Sequence, residues 1–545
     1  METGNQTGAN LPILQRRATR RAVVGATAAL AAAGAAAAII AVAPDGPPPA
    51  STDPAPPDAT GEGASATVTA AANTATRAAT STPATAAAPF TAFDDPVKRA
   101  AHLLRRAGFG GTRAEVEAFA KLSREDGADR LLNYAATENG ALDARIAAAQ
   151  FVLRVSDEDQ MLAGRAIRDM QRWWLTRMSY TARPLEERMT FIWHGLLTSQ
   201  VSRVGARRSR ILVDQNDLFR SMALGRYDDL IQMVAKDPAM MVYLDTIEST
   251  KEHPNENFPR ELLELFTMGA GSYTENDVRE ASRAFTGWRL SLPPPERADY
   301  DPTFEFRLRQ HDSGQKTFLG QTGAWGGEQI IAIIMGRAET GRFLCARLWR
   351  EFAYGDPEPH IIERLAKVWQ ASGHQVKDVV RAILTSPEFY SERAYFGKVR
   401  SPVEFVTGVV RGLEIETAFD FPPARGGARG GSHYQAMGQV LFEPPNVAGW
   451  PGGAAWLSSG AFFARLNVLD QLLFRNGRAI PLPSLSGLAT PAALVDEIAN
   501  RLTGGALSDA KRREIAAYAG TLRDPAERAA TAAYLVGGSP EFQLI

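Results

Sequence analysis

A chain of 545 residues, 45% hydrophobic and 22% charged, is long enough to bury one large core or two modest ones. Its 60 basic and 61 acidic residues leave a net charge of −1, with no polybasic face in the C-terminal four-fifths. That excludes nucleic acid as the main partner, because phosphate binding needs a dense local positive field. The single cysteine, Cys345, excludes an intramolecular disulfide, a C-x-x-C-H haem attachment and a multi-cysteine zinc site.

Residues 1–21 form a basic N-terminus in which Arg16, Arg17, Arg20 and Arg21 precede an uncharged apolar run, Ala22 to Ala43. As a helix those residues would extend about 33 Å, enough to cross a hydrocarbon core of about 30 Å. Arginines on one flank alone place the N-terminus inside, so the segment reads as an export signal or a transmembrane anchor. "TRRAVV", Thr19 to Val24, fits the twin-arginine pattern; an ordinary signal anchor with a basic flank is the alternative. "AVA" at Ala41 to Ala43 has the small-x-small form of a cleavage site, but Pro44 follows it and proline there hinders signal peptidase. Two outcomes stay open: a membrane-anchored extracytoplasmic domain, or a secreted or periplasmic one. Residues 44–89 are rich in Pro, Ala, Ser and Thr without an aromatic residue. They cannot bury enough apolar area to offset ordering entropy, and are expected to be a disordered linker.

From 90 to 545 the dominant signal is helical periodicity, and the expected fold is a mostly α, multi-helix domain. "DDPVKRAAHLLRRAGFGG" predicts a helix stopping at Gly108. "DMQRWWLTRMSYT" and "PLEERMTFIWHGLLTS" predict a pair joined at Arg183-Pro184, and "YDDLIQMVAKDPAMMVYLD" two helices broken at Asp237-Pro238. Thr274 caps the next, which runs to Gly287. In the following helices Cys345 sits on an apolar face as a buried thiol, and Ser401, Pro402 and Glu404 spell a capping box. One stretch departs: "TFEFRLRQHDSGQKTFLG" alternates Phe304, Phe306 and Leu308 with polar residues and predicts a short β-hairpin or extended excursion inside a helical protein. "SPEF" occurs twice, at Ser386 and Ser539, as two related helical units or, more simply, one common helix cap used twice would give.

Five stretches in this order, "HLLRRAGFGGT", "MTFIWHGLLTS", "NENFPRELLELFTMGAGSYTENDVREASRAFTGW", "HDSGQKTFLGQTG" and "FEPPNVAGWPGGAAWLSS", resemble the bacterial domain-of-unknown-function family 1800 over essentially 90–545. The resemblance implies a large, exported, mostly helical protein without an agreed activity, cofactor or set of catalytic residues. It also implies a partner: an exported protein with a phosphatase- or sulfatase-like fold.

The most chemically suggestive stretch is "NENFPRELLELFTMG". At 100° per residue, Glu261 and Glu264 fall on one side of a short helix started by Pro259 and stopped by Gly269, with Arg260 adjacent. On a structural account Glu261 caps, favoured by the helix dipole, and Glu264 pairs with Arg260 or with an arginine from another helix. On a chemical account the glutamates meet His194, or His311 and Asp312, as acid and base on a glycosidic or ester bond. The same groups would also suit a divalent metal, although no H-E-x-x-H is present. Trp450 and Trp456, in a proline- and glycine-rich loop, offer flat faces for a sugar ring or for core packing. The Gly-Arg stretch from Ala424 to Tyr434 lacks a G-K-[ST] and is a poor phosphate cradle; no G-x-S-x-G elbow occurs. Two functions remain in view. One is an envelope protein acting with an exported enzyme or an envelope polymer; the other is an extracytoplasmic hydrolase built on a Glu/His pair.

Overall fold

The helix Pro402–Leu413 has every one of its residues buried; its sequence, PVEFVTGVVRGL, is apolar except for one stripe of Glu404, Thr407 and Arg411, whose polar groups all find partners inside the protein. Its start is the predicted capping box: Ser401 Oγ accepts the Glu404 N–H, and the Glu404 carboxylate accepts the Ser401 N–H at 2.7 Å. Two glycines let neighbours close in. A Cβ at position 408 would sit 2.9 Å from Arg400 Nη1, and one at 412 would sit 3.0 Å from a Leu502 methyl. Gln160–Tyr180, Ser459–Leu473 and Pro491–Thr503 pack around this helix.

The computed structural model describes residues 92–154, 160–205, 209–291, 302–420 and 433–545. The expected anchor over 22–43, the linker over 44–89 and almost all of the Gly-Arg stretch lie outside the described residues. Among the described residues no helix is long and apolar enough to cross a membrane.

The helices fall where periodicity and punctuation put them. Pro96–Arg106 ends before Gly108, Gln160–Tyr180 turns into Pro184–Leu196 at Arg183, and Tyr227–Ala235 breaks before Pro238–Tyr243, whose first turn Asp237 caps. Thr274 and Asp277 form a reciprocal capping box on Glu275–Ala284. Ala338–Phe352, Pro359–Ala371 and Val376–Leu384 pack in succession, and the last also meets Arg124–Leu132. Pro491–Thr503, Asp509–Gly520 and Pro525–Gly537 pack mutually, and the last docks on Ser459–Leu473. One continuous apolar cluster links Ala100 to Phe542. Cys345 lies fully inside it, and burial pushes its thiol up to about 12, so it behaves as an inert small apolar group. The two SPEF copies differ: Ser386 opens turns, whereas Pro540–Gln543 is a single helical turn.

The β-structure corrects the expectation in its pairing. Thr303–Phe306 does not fold back on the residues that follow it. It pairs antiparallel with Trp288–Ser291, opposing Trp288 to Phe306 and Leu290 to Phe304. Lys316–Phe318 makes a separate hairpin with Gln321–Gly323. The alternation at Phe304 and Phe306 is a true strand signal, whereas Leu308 opens a 3-10 turn; the strand's partner is the tail of "FTGWRLS", where Phe304 packs edge-on against the buried Trp288 ring.

Interior charge is mostly compensated. Glu187, fully buried, accepts from Arg177 Nε and Arg220 Nε, both at 2.7 Å, and from the Trp174 indole at 3.1 Å. Burial alone would raise its carboxyl, yet the two arginines hold it low. Arg411 is as well served, donating to the carbonyls of Gly110, Ser179 and Thr181 and to the Glu115 carboxylate.

Candidate functional site

The helix carrying the two glutamates is not uniformly α. Asn257–Glu261 is α-helical, then Leu262–Thr267 widens into a π-turn, with the Met268 N–H donating to the Leu263 carbonyl five residues back at 2.9 Å. Tyr227 Oη donates to the Phe266 carbonyl at 2.6 Å, occupying an acceptor inside the widened turn. A π-turn is uncommon and occurs disproportionately at functional sites. Leu262, Leu263 and Phe266 are buried against Gly327–Met335 and Ala338–Phe352.

The widening overturns the expected pairing. Arg260 does not reach Glu264; it forks onto Glu275 at 2.8 Å through both terminal nitrogens and onto Glu256 at 3.0 Å. Glu264 instead accepts the Tyr273 hydroxyl at 2.8 Å, and burial, with that carboxylate, pushes the Tyr273 phenol up to about 12. Glu261 makes no side-chain cap either. Half-buried, it accepts no hydrogen bond from any described residue. Burial first and Glu264 second raise its carboxyl, against the pull of Arg260. Tyr243 is influenced by the same region: burial raises its phenol, the neighbouring Thr198 side chain opposes this, and Glu261 and Glu443 add to the rise. Tyr243, Thr198 and Glu443 carried no sequence signal as site residues, because they are far apart in the chain; Tyr273 lies only nine residues past Glu264, but helical spacing does not point to it.

The histidines are engaged elsewhere. His194 is 1% exposed, and its Nε2 accepts the Phe442 N–H at 3.2 Å. Its ring packs against Trp174, Phe442 and Trp450 with centroids 5.0, 5.2 and 5.5 Å away. Burial takes it down to about 3, so it stays neutral. It anchors a loop. Val201 N–H donates to the Phe442 carbonyl, Thr198 Oγ1 to the Val447 carbonyl, and Gln200 and Ser202 to the Glu443 carboxylate. At Gly449, φ is +85° and a Cβ would lie 2.6 Å from the Gly195 carbonyl, so glycine alone lets the loop lie on the helix end.

His311 Nδ1 meets the Thr286 carbonyl at 2.9 Å, and its ring lies edge-on to Phe306. Asp312 accepts from Arg283 Nε at 2.7 Å and from the Gly314 N–H at 2.8 Å; the Arg283 bond draws its carboxyl below the usual range. These two therefore pin their connector to the end of Glu275–Ala284. Neither His194 nor His311 hydrogen-bonds to Glu261 or Glu264. Trp450 is half-buried with its ring beside His194, and Trp456 is half-buried next to Gly438 and Gly452, its indole N–H without an acceptor among the described residues. Among the described residues no group of three or more His, Cys, Asp or Glu side chains is placed to hold a metal ion.

The structure thus joins "MTFIWHGLLTS" to "FEPPNVAGW" through His194 and through Thr198, which donates to the Val447 carbonyl. No curated protein and no solved structure matches the chain. A family model described as "Protein of unknown function (DUF1800)" matches residues 102–544, four-fifths of the sequence, and the chain belongs to that family.

Proposed function

We propose that the chain is exported through its basic and apolar N-terminal segment, stays tethered to the membrane or is released by cleavage, and works outside the cytoplasm by binding an exported protein. Glu261 carries this reading. It is a half-buried carboxylate with no hydrogen-bond donor among the described residues, beside the Glu264–Tyr273 pair and at the start of a π-turn. A fold that partners Glu187 and Asp312 fully, yet leaves this group open, offers it to a donor from another molecule. A cationic or donor-rich surface of a phosphatase- or sulfatase-like partner would meet that need; an envelope polymer rich in amines is the competing ligand.

The Glu/His hydrolase is the weaker reading, since His194 serves backbone and aromatic packing and His311 serves its own connector. Affinity capture by the full-length chain from native envelope tests the choice. Reversing both charges, Glu261→Lys with Glu264→Lys, is expected to lower capture of the exported partner by about tenfold or more, equivalent to ~1.4 kcal/mol or above. Unchanged capture would contradict the proposal. So would hydrolysis of a glycan or ester by the chain alone that Glu264→Gln abolishes without loss of thermal stability.

A further inference from the structure

Around the start of the central helix the charge balance fails. Arg106, Arg188, Arg400 and Arg465 are each no more than 1% exposed, and Arg105 is 3% exposed. Two carboxylates face this group. Glu404 accepts from Arg188 Nη1 and, through its other oxygen, from the Ser401 N–H. Glu351 meets Lys398 Nζ at 3.3 Å and Arg347 Nε at 3.7 Å. Many donors are left over. Arg106 Nε and Nη1, Arg188 Nε, Arg400 Nη1 and Arg465 Nε are buried without an acceptor among the described residues. Some of this charge is softened by rings, with Arg400 4.4 Å from the centroid of Phe542 and Arg465 5.0 Å from that of Phe405. Among the described residues Arg106 has no such ring, and its one bond is a long 3.4 Å contact from Nη2 to the Ala394 carbonyl.

Three cations of this group are mutual neighbours. Arg188 Nη2 and Lys398 Nζ share the Glu351 carbonyl, at 3.3 and 2.7 Å. Arg106 and Arg188 repel one another, and Arg106 and Lys398 do likewise. Burial, and then Arg188, take Arg106 down to about 9, which leaves it charged at neutral pH. An interior guanidinium with two idle N–H groups is costly unless an anion meets it, and the same fold satisfies Arg411 completely. The cluster also has an approach: the side chains of Lys398 and Glu351 are 18% and 27% exposed, so one edge reaches solvent.

We propose that a small inorganic oxyanion, phosphate or sulfate, binds among Arg106, Arg188 and Lys398, where the Pro96–Arg106 and Pro184–Leu196 helices meet the segment leading into Pro402–Leu413. The free Nε and Nη1 of Arg106 are donors for the oxygens of such an ion, Arg188 adds its free Nε, and the Lys398 ammonium supplies a point charge at the open edge. The ion would fasten the first motif, "HLLRRAGFGG", to the central helix. This site is independent of the glutamate face and stands or falls separately from it.

Equilibrium dialysis of the full-length chain against radiolabelled phosphate, at constant ionic strength set with gluconate, is the direct test. One equivalent is expected to bind saturably, sulfate is expected to compete, and both Arg106→Met and Lys398→Met are expected to abolish retention. Thermal unfolding supplies a second readout. The wild-type Tm is expected to rise by about 1–2 °C per tenfold increase in phosphate above its Kd. In phosphate-free buffer Arg106→Met is expected to be at least as stable as wild type, because an unmatched interior charge has been removed, and its Tm is expected to move only with the general salting-in or salting-out effect. Absence of saturable binding to the wild type would overturn the proposal, whether or not the variants fold. Equal retention by wild type and Lys398→Met would overturn it too.

Discussion

Asp237 gives the sharpest stability prediction. It is 6% exposed and caps Pro238–Tyr243, its Oδ1 accepting from the Met240 N–H at 3.0 Å and from Gln215 Nε2 at 2.6 Å. Those bonds favour the charged form, but burial outweighs them and pushes the carboxyl up to about 7. A raised folded value means that the folded chain holds a proton the unfolded chain has released between about pH 4 and 7, so stability is lost as pH rises through that window. With an ordinary aspartate near 4 and ~1.4 kcal/mol per pH unit, the full cost above pH 8 is about 4 kcal/mol at most. Asn accepts the same cap bond and carries no charge. Asp237→Asn should therefore match wild type near pH 4 and exceed it by up to about 4 kcal/mol at pH 8, measured as a difference of urea unfolding free energies. A difference that does not change with pH would show that solvent or a counterion already relieves the carboxylate, and would refute the reasoning.

Other substitutions probe the remaining joints. His194, held down to about 3 by burial, contributes stability that is full above about pH 6.5 and falls at up to ~1.4 kcal/mol per pH unit on acidification. The stability gap between wild type and His194→Phe should accordingly narrow between pH 7 and pH 4.5, and a constant gap would count against a neutral interior ring. Glu404→Gln keeps the cap but strips Arg188 of its counterion, an expected loss of about 3–5 kcal/mol by denaturant titration. Gly449→Ala drives a Cβ to within 2.6 Å of the Gly195 carbonyl at a left-handed φ, with an expected loss of about 2–4 kcal/mol. Glu261→Gln should leave thermal stability at neutral pH unchanged or slightly higher, since burial already disfavours its charge.

The helical architecture was legible because its signals are local. Apolar spacing located Pro184–Leu196 and Pro402–Leu413, while Asp237, Thr274 and Ser401 marked their own helix starts through side-chain bonds within three residues. Strand pairing was not legible in the same way. Phe304 and Phe306 announced a strand, but their partner lies across residues 292–301, and periodicity says nothing about a partner at that distance.

At the glutamates the 100° wheel put Glu261 and Glu264 on one side, and the two carboxylates do act on each other, but Leu262–Thr267 is a π-turn and Glu264 pairs with Tyr273 rather than Arg260. That turn depends on contacts such as the Tyr227 hydroxyl with the Phe266 carbonyl, 39 residues apart. Arg260 likewise chose Glu275 from the following helix, a choice no spacing rule within 257–269 encodes. His194 had been readable as an aromatic-packed histidine from "FIWHGLL", but not as the acceptor that seats Phe442.

The most direct measurement places a photo-crosslinking amino acid at Ala270, exposed just past the π-turn, in the full-length chain in living cells. Irradiation is expected to join that position to a protein on the outer side of the cytoplasmic membrane, with the product lost when Glu261 and Glu264 are both reversed to lysine. Cross-links confined to cytosolic proteins, or a product indifferent to those charges, would contradict an exported domain that binds through its open carboxylate.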